Sequence, residues 1–196
     1  MIPFPSRPGG YDIIAADPAW TFLTRSAKGK GRSAEQHYSC LTIDEIKALP
    51  VRDLAAEDCV LFLWVTDPHL RIGLEVMEAW GFRYSTVGFT WVKLQASLAG
   101  STGGWNERSF FTGMGYWTRS SPEMCLLGTR GSPKRINKDV RQLIIAPRRE
   151  HSRKPDEAYE RMLRLIGGPA IELFARTARQ GWDSWGDETA KFEAAA

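Results

Sequence analysis

The residues with the most chemistry to offer stand together near the start of the chain: Asp17, Pro18, Ala19 and Trp20, directly after the apolar run Ile13–Ala16. An acid at the carboxyl end of a buried strand lies where open α/β sheets hold their ligands. One use for it is Mg²⁺ in a nucleotide hydrolase. That chemistry needs a phosphate loop of the form G-x-x-x-x-G-K-[ST], and Gly29–Ser33, GKGRS, lacks the spacing. A second use is recognition of an exocyclic amine on a flat base. Such an amine has two N–H donors and a lone pair delocalised into the ring. The Asp17 carboxylate can accept one hydrogen bond, and the carbonyl of Pro18, a residue of fixed φ, the other. Both acceptors favour a more tetrahedral nitrogen and stabilise positive charge as it attacks an electrophile. Trp20 supplies a plane for the base, or a wall against it. In a duplex such a base must first leave the stack. Taken alone, the four residues also fit a plain turn whose acid caps the next segment.

These side chains need a scaffold, and the chain alternates short apolar segments with helical patterns, as an α/β domain does. Strands are expected at Asp12–Ala16, Cys59–Val65, Tyr84–Val92, Glu123–Leu127, Gln142–Ala146 and Ala170–Ala175. Continuous runs such as VLFLWV and LIIA suit strands covered on both faces. Thr42-Ile43-Asp44-Glu45 is a capping-box pattern that opens a short helix through Leu49. Asp67-Pro68 opens a second, ending near Trp80 with Gly81 as its stop and Leu70, Leu74, Met77 and Trp80 as its buried stripe. Pro155 opens a third through Ile166, with Ala158, Met162 and Leu165 inward and Glu157 paired to Arg161.

The 196 residues, 43% of them apolar and 25% charged, suit one domain spanning the whole chain, with short tails at 1–10 and 189–196. No run approaches the ~18 apolar residues of a membrane span, and MIPFPSRPGG lacks the pattern of a signal peptide, so a cytoplasmic location is expected. The scattered Cys40, Cys59, Cys125, His37, His69 and His151 form no ligand pair, so no metal is expected; Cys59 and Cys125 read as small core residues. Net charge is only +3, but basic residues cluster: Arg25, Lys28, Lys30 and Arg32; then Lys134, Arg135, Lys138 and Arg141; then Arg148, Arg149, Arg153 and Lys154. Such clusters suit phosphate backbones, and equally a solvated surface. Two long stretches, Thr21–Tyr38 and Gln95–Thr118, resist assignment to regular structure and read as lids or binding loops. Trp105, Asn106, Phe110, Phe111, Tyr116 and Trp117 in the second suit stacking on unpaired bases, with about half expected to pin the loop to the core.

From Tyr11 to about Glu188 the chain resembles the adenine-N6 methyltransferases of the MT-A type. The resemblance rests on ADPAW, VLFLWVT, TWVK at Thr90–Lys93, EMCLLGTRG at Glu123–Gly131, RKPDEAYERM at Arg153–Met162, and IELFAR followed by GWDSWGDE. It implies a three-layer, Rossmann-like S-adenosylmethionine-dependent methyltransferase fold in permuted motif order, the tetrapeptide preceding the main cofactor-binding strand. It implies Asp17 and Pro18 on the target amine and Trp20 in the base pocket. Ala19, Tyr38 and Glu123 fall beside the substrate, and Arg25, Lys28, Lys30 and Arg32 are assigned to the nucleic acid. Lys154 would meet the carboxylate of S-adenosyl-L-methionine, and Glu172, Phe174, Arg176, Asp187 and Glu188 would lie near the rest of it. Trp64, Trp91 and Trp185 read as core.

Three departures stand out. Ala19 replaces a proline, Thr177, Ala178 and Arg179 stand where the mRNA-modifying members carry a His-Asn pair, and only ten residues precede Tyr11, fewer than in larger members. Arg179 is therefore assigned the cofactor contacts of that pair. The expected function is N6-adenine methylation of DNA, with a homodimer or a heterodimer with a related subunit as the partner arrangements. N6-adenine methylation of RNA, a non-catalytic nucleic-acid-binding partner subunit and a cytosine-N4 enzyme are the alternatives.

Overall fold

A computed structural model describes residues 4–20, 41–149 and 153–186. Seven strands form one sheet: β1 (Tyr11–Ala16), β2 (Ala55–Val65), β3 (Arg83–Leu94), β4 (Pro122–Arg130), β5 (Leu143–Pro147), β6 (Ala170–Leu173) and β7 (Trp182–Trp185), in the order β5-β3-β4-β2-β1-β6-β7. β1 pairs in parallel with both β2 and β6, β6 with β7, and β3 with β5. β4 alone runs the other way, antiparallel to β2 and β3. The carboxyl ends of six strands and the amino end of β4 therefore meet along one edge.

The helices are α1 (Ile43–Ala48), α2 (Leu70–Ala79) and α3 (Asp156–Ile166). Side chains of a strand alternate between faces, and the core divides accordingly. Ile14, Ala16, Leu61, Leu63 and Val65 pack with Ile46 of α1 and Val76 and Met77 of α2. Ile13, Ala15, Val60, Phe62 and Trp64 pack on the other face with Ala158, Tyr159 and Met162 of α3. The result is the expected three-layer, Rossmann-like arrangement. The strand bearing the tetrapeptide comes first in the chain yet lies beside β6, as the permuted order requires.

Most expected elements stand within a few residues of their bounds. Thr42 caps α1 in a reciprocal pair with Glu45. Gly81, at φ +82°, closes α2 in a conformation that favours glycine. The differences have local causes. Asp67 is not a cap: Asp67–His69 is a 3₁₀ turn, and the Thr66 hydroxyl bonds to the His69 ring instead. Leu70 and Leu74 are exposed, because α2 turns Gly73, Val76 and Met77 inward. Gly73 lets the helix approach so closely that a Cβ there would lie 2.5 Å from Val65 Cγ1. In α3, Tyr159 takes the fully buried place expected of Leu165, which is only partly covered. β6 ends at Leu173 because Phe174 adopts φ +61°. β7 has no counterpart among the strands expected from the sequence. Cys59, Cys125, Trp64, Trp91 and Trp185 are core residues as expected.

Candidate active site

The strand order reverses at β1: β2 lies on one side of it and β6 on the other. A crevice at such a switch point is the natural ligand site of an open α/β sheet. Asp17 sits there by parity, continuing the Ile13–Ala15 alternation past the strand end onto the α3 face. Lys154, just before α3, meets it from above, with Nζ 2.6 Å from Asp17 Oδ2 and 3.6 Å from Glu123 Oε2. Glu123 reaches the same edge because β4 runs backwards, and its other oxygen lies 3.3 Å from Lys93 Nζ. The four form a row of alternating charge: Asp17, Lys154, Glu123, Lys93. Trp64 and Trp91 floor it, with the Lys154 and Lys93 ammoniums 5.4 and 5.0 Å from their ring centres.

Burial sets the electrostatics. Lys154 is 4% exposed. Desolvation alone would lower its pKa, but Asp17 and Glu123 outweigh it and hold the ammonium above the ordinary lysine value. Desolvation likewise opposes the charge on Glu123, and Lys154 and Lys93 prevail to hold its carboxyl below the usual range.

A second network lies on the β6 side. Tyr159 donates to Glu172 Oε1 at 2.5 Å and Arg179 Nε to Oε2 at 3.0 Å. The Arg179 guanidinium also covers the Tyr159 ring at 3.8 Å and pairs with Asp156. Arg149 binds Asp156 Oδ2 at 2.7 Å and the Lys154 carbonyl at 2.8 Å, tying the row to the network. Burial raises the carboxyl of Glu172 despite Arg179 and Tyr159. Asp156, although burial opposes its charge, is pulled down to about 2 by its hydrogen bonds to Arg149 and Arg179.

Two crevices flank the row. One is lined by Asp17, Lys154, Glu172, Phe174, Arg176 and Arg179, with Arg153, Tyr159 and Thr177. The other, about 480 Å³, runs from Glu123 and Lys93 past Thr66 and Asp67 to the loop at 111–122. So Asp17, Glu123, Lys154, Glu172, Phe174, Arg176 and Arg179 are brought together. Glu172 is ion-paired to Arg179. Trp20 is 4% exposed: its indole donates to the Trp64 carbonyl at 3.0 Å and lies against His69. It is a wall rather than an open plane. Pro18 is buried and Ala19 half-buried beside it. Arg25, Lys28, Lys30, Arg32, Tyr38, Asp187 and Glu188 lie outside the described residues.

Tyr159, Lys93 and Asp156 join the site without having been singled out from the sequence. Lys93 was open to discovery, since Phe89, Trp91 and Lys93 share one face of β3. Tyr159 carried a weaker signal, being three residues before Met162 on the inner stripe of α3.

Fold and site together define a class: a Rossmann-like α/β domain that holds Asp17, paired to the buried Lys154, between two crevices, one lined by cations and carboxylates and the other bearing exposed aromatics. A profile of the MT-A70 family matches residues 11–188. The chain belongs to that family. Relatives include the type II methyltransferase M.MunI of a Mycoplasma species, 32% identical over 94% of this chain and 81% of that protein. A putative N(6)-adenosine-methyltransferase MT-A70-like protein of Medicago truncatula is 34% identical over 92% of this chain and 26% of its own length. The N(6)-adenosine-methyltransferase catalytic subunit METTL3 of Homo sapiens is 31% identical over 92% and 28%. The chain thus spans most of the bacterial relative and about a quarter of these two eukaryotic ones.

Proposed function

We propose that the protein transfers a methyl group from S-adenosylmethionine to the N6 amine of adenine in DNA. The observation that carries this is the position of Asp17, between two crevices of different chemistry at the switch point. One relative that this chain matches over most of both lengths is a type II methyltransferase, which favours DNA over the RNA reading that the eukaryotic relatives suggest.

The residues of the β6-side crevice fit the cofactor. Lys154 and Arg176 are cations suited to its carboxylate, and Glu172 retains lone pairs for donors of its ribose or base beyond those used by Tyr159 and Arg179. When bound, it supplies an electrophilic methyl group on a sulfonium. The adenine enters from the side of Glu123 and Lys93. Lys154 occupies Asp17 Oδ2, so the amine's N–H falls to Oδ1 and its second N–H to the Pro18 carbonyl. As the nitrogen gained the methyl carbon, the carbon–sulfur bond would break and leave a neutral thioether, and Asp17 Oδ1 would take the proton the nitrogen sheds and pass it to water. Trp20, locked to Trp64, keeps the turn in place and excludes solvent behind it. Positioning and electrostatics carry the rate.

The test is incubation of the protein with labelled S-adenosylmethionine and separate DNA and RNA pools, followed by nucleoside mass spectrometry. N6-methyladenine in the DNA pool is expected. Asp17→Asn should abolish it while cofactor affinity stays within about three-fold, because the amide cannot take the proton. Retained turnover in that variant removes Asp17 from the acceptor role.

A further inference from the structure

The β3–β4 connection ends in a tight turn that no part of the reaction uses. The Gly113 N–H donates to the Ser120 carbonyl at 2.7 Å and closes it. Gly115 is required inside it, since a Cβ there would lie 1.8 Å from the Thr118 carbonyl oxygen. Ser120 Oγ donates to Asp67 Oδ2 at 3.0 Å, fixing the base of the turn to the β2–α2 junction. At the tip stand Tyr116 and Trp117, 80% and 88% exposed, their rings edge to face at 5.3 Å. A tryptophan exposed to that degree leaves a large apolar area in water, and the turn is built to keep it there.

Its surroundings identify what covers it. Tyr116 and Trp117 form the rim of the crevice of about 480 Å³ whose floor is Glu123 and Lys93. Arg119, beside the tip, is exposed. Exposed Arg148 lies over Phe111, which lines the same crevice, at 4.5 Å. An aromatic tip beside Arg119, at the mouth of a crevice that Arg148 borders through Phe111, fits a DNA duplex with a base pulled out of it. We propose that Trp117 enters the duplex and fills the gap left by the target adenine, while the adenine occupies the crevice behind it. Stacking on neighbouring bases replaces the stacking that the extruded base gives up. Arg119 and Arg148 take the flanking phosphates. This rests on the DNA reading above and adds a device for opening the duplex.

Trp117→Ala and Trp117→Phe are compared with the unaltered protein on unmethylated DNA, native and heat-denatured. Trp117→Ala should slow methyl transfer to native DNA about ten-fold or more and leave denatured DNA within about two-fold, since a single strand has no gap to fill. Trp117→Phe should retain most of the native rate. Unchanged transfer to native DNA, or an equal loss on both, overturns the proposal. So does a loss of self-association in Trp117→Ala, which would make the tip a protein interface. Titration with native DNA is followed in parallel by tryptophan emission, where the component absent from Trp117→Phe should be quenched. That readout needs no reaction. If the unaltered protein methylates neither DNA, the reaction reading fails while quenching still upholds the tip's insertion, and an unquenched component overturns it.

Discussion

The ammonium of Lys154 is the residue on which the site turns, because it serves two partners. It already neutralises Asp17 and Glu123 from a buried position, and it also lines the crevice that fits the cofactor. Lys154→Ala should therefore do more than weaken the cofactor. Affinity measured by calorimetry should fall about ten-fold or more, the scale of a missing charge-assisted hydrogen bond, and turnover at saturating cofactor should also fall as Asp17 loses its partner. An unchanged affinity would reduce Lys154 to a support for Asp17. The missing second proline at position 19 is a smaller matter. A proline there would hold Pro18 extended, but Pro18 is buried and Trp20 is tied to the Trp64 carbonyl. Ala19→Pro should leave the methyl-transfer rate within about two-fold; a larger gain would mean the turn is loose. The types of these residues were legible in the sequence, but their pairing was not. Asp17 and Lys154 are 137 positions apart, and no local pattern announces that contact.

Among the elements, helices were readable where their ends carry their own chemistry, as at Thr42 and at Gly167, which closes α3 at φ +70°. β4 was readable as a strand but not in direction, and its reversal is what brings Glu123 to the active edge. β7, the four residues WDSW, is too short to show a period; its pairing with β6 defines it. The amino end of α3 is held by Asp156, which binds Arg149 before the helix and Arg179 beyond β6. This pairing has a pH signature. The folded-state pKa drops from the ordinary 3.8 to about 2, so its stabilisation is present above pH 4 and lost as pH falls towards 2. Nearly half of the side chain is exposed, and screening limits the effect to about 1 kcal/mol. Asp156→Asn should lower stability at neutral pH by that order and flatten acid unfolding below pH 4. An unfolding midpoint that tracks the unaltered protein from pH 7 to 2 would mean the arginines hold nothing there.

Across the described residues two of the basic stretches lie apart. Arg148 follows β5 at the active edge, where Lys154 also lies. The stretch from Lys134 to Arg141 lies at the other end of α3: the Ile136 N–H bonds to the Leu165 carbonyl and Asn137 to that of Arg164. Eleven helical residues intervene, about 16 Å, which is beyond a Debye length at physiological salt. A net charge of +3 conceals this polarity. Engagement of phosphate is measured by the salt dependence of binding, whose log–log slope on duplex DNA becomes shallower by roughly 0.9 for each phosphate that the protein no longer neutralises. Neutralising Lys134, Arg135 and Lys138 together should leave that slope unchanged. Neutralising Arg148 should reduce it by about the share of one phosphate, and removing the four charges of Arg25, Lys28, Lys30 and Arg32 by more. Equal changes from the 134–138 set and from Arg148 would show that DNA touches both ends of the sheet, and would place the duplex across α3 rather than along the carboxyl edge.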